Sequence, residues 1–119
     1  MNAILWVGVG GAIGSMLRYF LQRQLNADFP LGTLSVNILG CLLIGILWAL
    51  VVRNQLNESW RLALMAGFCG GFTTFSSFTL ESLQLLQQNR YLFFTVYTIG
   101  NVVIGLLATF AGYKIFSNI

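Results

Sequence analysis

Four long stretches without a charged side chain constrain this chain more than any other feature. They are residues 1–17, 29–52, 62–80 and 91–113, with lengths of 17, 24, 19 and 23 residues. A helix needs roughly 20 apolar residues, at about 1.5 Å each, to cross the hydrocarbon of a bilayer. Each stretch meets that length once end residues such as Arg18 are allowed to snorkel. A membrane barrel alternates polar and apolar residues, and these runs do not. The rest of the composition gives no alternative. Only 8% of the 119 residues are charged and 57% are hydrophobic, against about 25% charged in a soluble domain. The sequence therefore predicts an all-α membrane protein, one four-helix transmembrane domain over residues 1–119. Its helices are expected at residues 2–23, 31–52, 60–86 and 91–116.

The N-terminal run has no basic leader segment and continues as a glycine-rich pattern up to Arg18, so it reads as the first span. The connections are short and polar. Asn26, Asp28 and Pro30 join helices 1 and 2, with proline at a helix start. Asn54 to Ser59 supply turn and cap residues before Trp60, and residues 87–90 form a tight link. Trp6, Trp48 and Trp60 fall near one interface and read as anchors. Cys41 and Cys69 lie inside spans and read as small packing residues. Gly10 and Gly14, then Ala63, Gly67 and Gly71, then Ala108 and Gly112 are spaced by four, as close helix contacts in lipid require.

The basic residues divide evenly. Both termini and the loop between helices 2 and 3 share one side, which holds Arg53, Arg61 and Lys114. The other side holds Arg18, Arg23 and Arg90, so the difference is 3 − 3 = 0. Orientation follows an excess of Lys and Arg on one side. A chain without that excess can insert both ways and assemble as an antiparallel pair, unless one cation dominates and fixes one orientation. Six basic residues scattered over helix ends form no nucleic-acid patch.

Helix 3 interrupts its own pattern. Residues 67–79 combine the pair Gly70-Gly71 with five hydroxyls, Thr73, Thr74, Ser76, Ser77 and Thr79. Irregular backbone at membrane depth survives only inside protein or beside a water-filled cavity. Two readings stand on these residues: a helix break that exposes carbonyls, or a kink filled by hydroxyl back-bonding. Elsewhere Thr33, Asn37 and Cys41 share one face of helix 2, and Tyr97 and Asn101 share one face of helix 4. An asparagine in hydrocarbon needs partners, so Asn37 and Asn101 are expected to face inward, as pathway residues or as interhelical glue. Phe75 and Phe78 share a face of helix 3. Their ring edges carry partial positive charge that can meet a small anion, and packing alone would also explain them. Glu81 is the only acid within a span, and Arg18 lies near the end of helix 1. Both are candidates because intramembrane charge is expensive.

At this point the residues resemble a known family. Gly70-Gly71-Phe72-Thr73-Thr74-Phe75-Ser76-Ser77-Phe78, preceded by Gly32-Thr33-Leu34-Ser35-Val36-Asn37 and Gly14-Ser15-Met16-Leu17-Arg18, is similar to the Fluc fluoride channels over essentially the whole chain. The resemblance implies a passive fluoride channel in a bacterial inner membrane, built as an antiparallel dual-topology homodimer with two pores. It implies that Asn37, Phe75 and Phe78 line the fluoride path. Thr74, Ser76, Tyr97 and Asn101 would add polar contacts, with Thr33, Glu81 and Arg18 in support. It further implies a central structural Na⁺ held by the main-chain carbonyls of Gly70 and Thr73. Ser77 stands where a threonine is more usual, and Asn101 and Gly105 stand where relatives place serines. The alternatives are a small dual-topology multidrug transporter, which depends on an acid in helix 1 that this chain lacks, and a structural membrane subunit. With no histidine and no nucleophile–base–orienter set, an enzyme is not expected.

Overall fold

The computed structural model describes residues 2–117. Four helical rods cross the molecule: α1 (Asn2–Leu25), α2 (Leu31–Val52), α3 (Glu58–Gln87) and α4 (Tyr91–Ser117), each long and apolar enough to span a bilayer. The expected boundaries hold to within two residues. Their ends follow from local chemistry. Asn57 caps α3 by accepting the Trp60 N–H at 2.9 Å, which satisfies one of the orphan donors of a helix start. Asn54 and Asn89 take positive φ, 57° and 58°, a conformation asparagine tolerates. Each closes the preceding helix in the same way. Gln55 N–H reaches Leu50 O and Arg90 N–H reaches Leu85 O, both at 2.9 Å, the six-to-one bond of a Schellman ending.

The rods pack as two close pairs, α1 with α3 and α2 with α4, through backbone contact. A Cβ on Gly10 would collide with Ala63 O, and one on Gly14 with Phe68 O. On the other side a Cβ on Gly45 would meet Thr109 O, and one on Gly112 would meet Leu42 O. Apolar exclusion does not drive association in lipid, so backbones this close supply the packing and hydrogen bonding that do. The result is a slab, with principal extents of 48 × 35 × 20 Å.

Two features were not expected from sequence. Leu62–Cys69 in α3 and Gly100–Ile104 in α4 are π-helical, a geometry that recurs at functional sites. And Gly70-Gly71 does not break α3. Gly70 is helical at φ −62°, ψ −37°, while the chain becomes extended at Thr73 (φ −89°, ψ 159°) and Thr74 (φ −151°, ψ 118°). Helix resumes over Phe75–Gln87.

Candidate functional site: the break in α3

The break separates two helix ends of opposite polarity. The first half of α3 ends with orphan carbonyls, and the second half begins with orphan N–H groups. Side chains then decide which of these groups stay free. Thr73 bonds Cys69 O twice, through its N–H at 3.0 Å and its hydroxyl at 2.8 Å. Arg18 Nε donates to Gly71 O at 2.9 Å. Arg18 therefore reaches inward instead of snorkelling, and its charge sits at a carbonyl-rich helix end where a cation is favoured.

Asn37 holds the extended residue in place. Its Oδ1 accepts the Thr74 N–H at 2.8 Å and its Nδ2 donates to Thr74 O at 3.2 Å. Because a backbone N–H can only donate, this pairing fixes which way the amide faces. The second Nδ2 hydrogen goes to Asn101 Oδ1 at 2.8 Å, and Asn101 Nδ2 donates to Tyr97 O at 2.9 Å. Thr74 Oγ1 in turn caps the second half of α3, accepting Ser77 N–H at 3.1 Å and lying 3.3 Å from Ser76 Oγ.

These diversions have a consequence for two carbonyls. In an unbroken helix the Thr74 N–H would close on Gly70 O, and the Ser77 N–H on Thr73 O. Here both donors go to side-chain oxygens. Both readings of the hydroxyl-rich run are realised at once: Thr73 back-bonds, and the carbonyls of Gly70 and Thr73 lose their helical donors.

Most of the residues singled out in the sequence converge on one cavity of about 410 Å³ beside the break. Asn37, Asn101, Phe75 and Phe78 line it, together with Gly70, Thr73 and Thr74. The two phenylalanines differ in setting. Their ring centroids are 5.6 Å apart, but Phe75 is 76% exposed and Phe78 only 8%. Phe78 packs against Tyr97, with centroids 5.5 Å apart. Ser76 is exposed and lies outside the cavity lining.

Tyr97, Glu81, Thr33 and Arg18 belong to a second cluster towards the loop between α1 and α2. Tyr97 is fully buried, and its hydroxyl donates to Glu81 Oε1 at 2.7 Å. Asn26 Nδ2 donates to Glu81 Oε2 at 3.1 Å. Asn26 and Thr33 clasp each other, the Thr33 N–H reaching Asn26 Oδ1 at 3.1 Å. Gln22 Nε2 donates to Thr33 Oγ1 at 3.0 Å, and Arg18 Nη1 to Gln22 Oε1 at 3.2 Å. Glu81 is thus held by neutral donors and Arg18 by a carbonyl and an amide. A smaller cavity of about 260 Å³ adjoins this end, lined by Asn26, Asp28, Glu81, Gln84 and Gln88. Gln22 and Asn26 were missed in the sequence because they sit at the end of a span, where polar residues need no explanation. Their spacing was the available signal: Arg18, Gln22 and Asn26 are four apart and fall on one helical stripe.

Among the described residues no three of His, Cys, Asp and Glu come together as a metal site.

Residues 5–113 match the family described as CrcB-like protein, Camphor Resistance (CrcB). The chain belongs to the CrcB-like family. A relative from Phocaeicola vulgatus, named fluoride-specific ion channel FluC, is 49% identical over 116 residues, covering 94% of this chain and 96% of the relative. One of the same name from Helicobacter pylori strain Shi470 is 40% identical over 125 residues, covering 99% and 96%. A third, from Helicobacter acinonychis, is 38% identical, covering 99% and 98%. The break, its asparagine clamp and the paired phenylalanines are thus features of a CrcB-like chain matched along nearly its whole length.

Proposed function

We propose that this chain is a subunit of a fluoride-selective passive channel that lowers cytoplasmic fluoride, seated in a bacterial inner membrane and working as an antiparallel homodimer. The near full-length identity of 49% to a fluoride-specific ion channel carries the reading. That likeness does not favour a multidrug transporter, a structural subunit or an enzyme.

The chemistry of the site fits. Fluoride is small and strongly hydrated, so a dry path must replace its water with donors and positive partial charge. The second half of α3 points its N-terminal dipole at the break. The Thr74 and Ser76 hydroxyls lie 3.3 Å apart, so one proton is shared between them and the other can rotate toward an anion, and the rings of Phe75 and Phe78 offer positive edges. Both hydrogens of Asn37 Nδ2 are engaged by Thr74 O and Asn101 Oδ1. Asn37 and Asn101 therefore serve the path first by holding the break open and orienting its donors. Tyr97, with Glu81, Thr33 and Arg18 behind it, forms the mouth towards the loop between α1 and α2. Fluoride enters a cell as uncharged hydrogen fluoride and ionises there. An inside-negative potential, about 2.3 kcal/mol per charge per 100 mV, then drives it out without coupling to another energy source. Proteoliposomes are expected to release fluoride far faster than chloride, and at a rate independent of a proton gradient. Equal chloride release, or a requirement for the gradient, would end the channel reading.

Support for a second copy comes from surfaces that one chain leaves unexplained. A Cβ on Gly70 would meet nothing within 4 Å, so no contact within this chain requires glycine there. Phe75 stands largely exposed at the cavity rim. The even division of basic residues supports an antiparallel mate. A cysteine at Ser117, in a background without Cys41 and Cys69, is expected to be labelled from both sides of the membrane. Labelling from one side alone would rule out dual topology.

The carbonyls of Gly70 and Thr73, deprived of helical donors, suit a structural Na⁺ near the axis between two copies. The ion would supply fixed positive charge at the carbonyl pole of the break and hold two α3 helices together. Replacing Na⁺ by a bulky organic cation during purification is expected to lower both melting temperature and fluoride flux, with recovery on adding Na⁺ back. If both stay unchanged, the carbonyls hold no such ion.

A further inference from the structure

Thr98 carries a hydroxyl that the path described so far does not use. Its behaviour differs from that of the other threonines on α4. Thr95 Oγ1 donates to Tyr91 O at 2.9 Å, and Thr109 Oγ1 donates to Gly105 O at 3.2 Å and Cys41 O at 3.0 Å. These are the back-bonds by which a helical threonine normally satisfies itself in an apolar setting. Thr98 makes none. Its Oγ1 is buried, and among the described residues it is the one such side-chain atom without a hydrogen-bond partner.

A buried hydroxyl without a partner is destabilising. The remedy is simple, because valine has nearly the same shape and no polar atom, or the side chain could turn to the Phe94 carbonyl one turn back. The chain uses neither. The position of Thr98 gives a reason. Asn101 and Val102 follow it by three and four residues across the π-helical turn at Gly100–Ile104, and both line the cavity beside the break, with Thr98 just behind that lining. Its chain neighbour Tyr97 holds Glu81 at the other cluster. Along α4, Thr98 therefore stands between the cavity and the Glu81 end. A hydroxyl with no bond of its own to break is also the cheapest donor to offer to a passing anion. By contrast, Thr95 would have to give up its back-bond.

Resting on the fluoride-channel reading, we propose that Thr98 Oγ1 is a donor on the anion path, contacting fluoride as it moves between the break and the Glu81–Tyr97 cluster. The role is one of contact and selectivity, since the hydroxyl supplies a proton to a small, hard anion and gives little to a larger one.

The test separates a path hydroxyl from a structural one by reading flux and stability together. Thr98→Val, Thr98→Ala and Thr98→Ser are reconstituted, and initial fluoride and chloride efflux are measured beside the melting temperature of the purified protein. The proposal expects Thr98→Val to lose fluoride flux by about tenfold, a ratio set by ~1.4 kcal/mol of barrier, while its melting temperature rises. Thr98→Ser keeps the hydroxyl and is expected to stay near the parent. Where Thr98→Val does not elute as folded protein, the flux of Thr98→Ala decides in the same way. Parental flux in both variants that lack the hydroxyl overturns the proposal. So does a joint fall of flux and melting temperature in Thr98→Val, which would mean that the hydroxyl holds structure or a second copy. A serine variant as impaired as valine would assign the effect to the lost methyl group and also overturn it. A parent that releases no fluoride defeats the channel reading itself, a result distinct from any of these.

Discussion

Replacing Phe75 by isoleucine is expected to cut fluoride efflux by more than about tenfold, equivalent to at least ~1.4 kcal/mol of barrier, with the protein still folded. Isoleucine keeps an apolar side chain and removes the ring, whose edge carries the positive partial charge offered to the anion. The structure makes Phe75 a clean site for this test. It is 76% exposed within one chain, so little packing inside the subunit depends on it. Phe78 is a more complex case. It is buried in a cluster with Leu85 and Tyr97, and losing its aromatic neighbour contact removes about 0.5–1.5 kcal/mol in addition to any effect on the anion. Phe78→Ile should therefore lower melting temperature as well as flux, and more than Phe75→Ile does, because among the described residues Phe78 has two aromatic contacts and Phe75 only the one with Phe78. Initial efflux from liposomes, with size-exclusion elution as the folding control, distinguishes these outcomes. If both variants pass fluoride like the parent, the ring edges do not contact the ion and the phenylalanines are packing.

The parts of this molecule that could be read from its sequence are those governed by a single local rule. Span lengths follow from the hydrocarbon thickness, and the four expected segments match α1 to α4 closely. That Asn37 and Asn101 face inward follows from the cost of an unpartnered amide in lipid, although nothing in the sequence says that they bond each other. The position of the break did not follow, because two local rules compete there. Glycine weakens a helix in water, which makes Gly70-Gly71 the weak point of residues 67–79 by local preference. In this packed setting Gly71 is needed where α1 approaches, since a Cβ there would collide with Gly11 O. Thr73 and Thr74 break the helix instead, because Asn37 on a different rod offers the Thr74 backbone both a donor and an acceptor. No pattern within α3 encodes that partner. The π-helical stretches were equally hidden. A wider turn leaves no mark on composition, and in runs that are apolar nearly all round there is no sharp face whose shift would reveal it.

Asn37→Asp carries the largest effect expected. The substitution keeps shape almost unchanged and alters only what the terminal atoms can do. One carboxylate oxygen can still accept the Thr74 N–H. The other would face Thr74 O and Asn101 Oδ1, now at 3.2 and 2.8 Å from a donor nitrogen, with nothing to donate. The extended residue would lose half of its clamp. A fixed negative charge would also stand beside the cavity proposed here to carry the anion. At an effective dielectric of ~20, two like charges ~4 Å apart repel by about 4 kcal/mol, close to a thousandfold in rate. Flux in Asn37→Asp should therefore fall to near background at neutral pH. It should partly recover as the pH falls, because protonation removes the charge and restores one donor. Asn37→Ser supplies the uncharged comparison: it loses the clamp without adding charge, so its flux should drop less and show no such recovery. Equal losses in the two variants, with no pH dependence in either, would mean that Asn37 acts only by holding the break. Parental flux in Asn37→Asp would mean that the cavity beside Thr74 is not on the path of the anion.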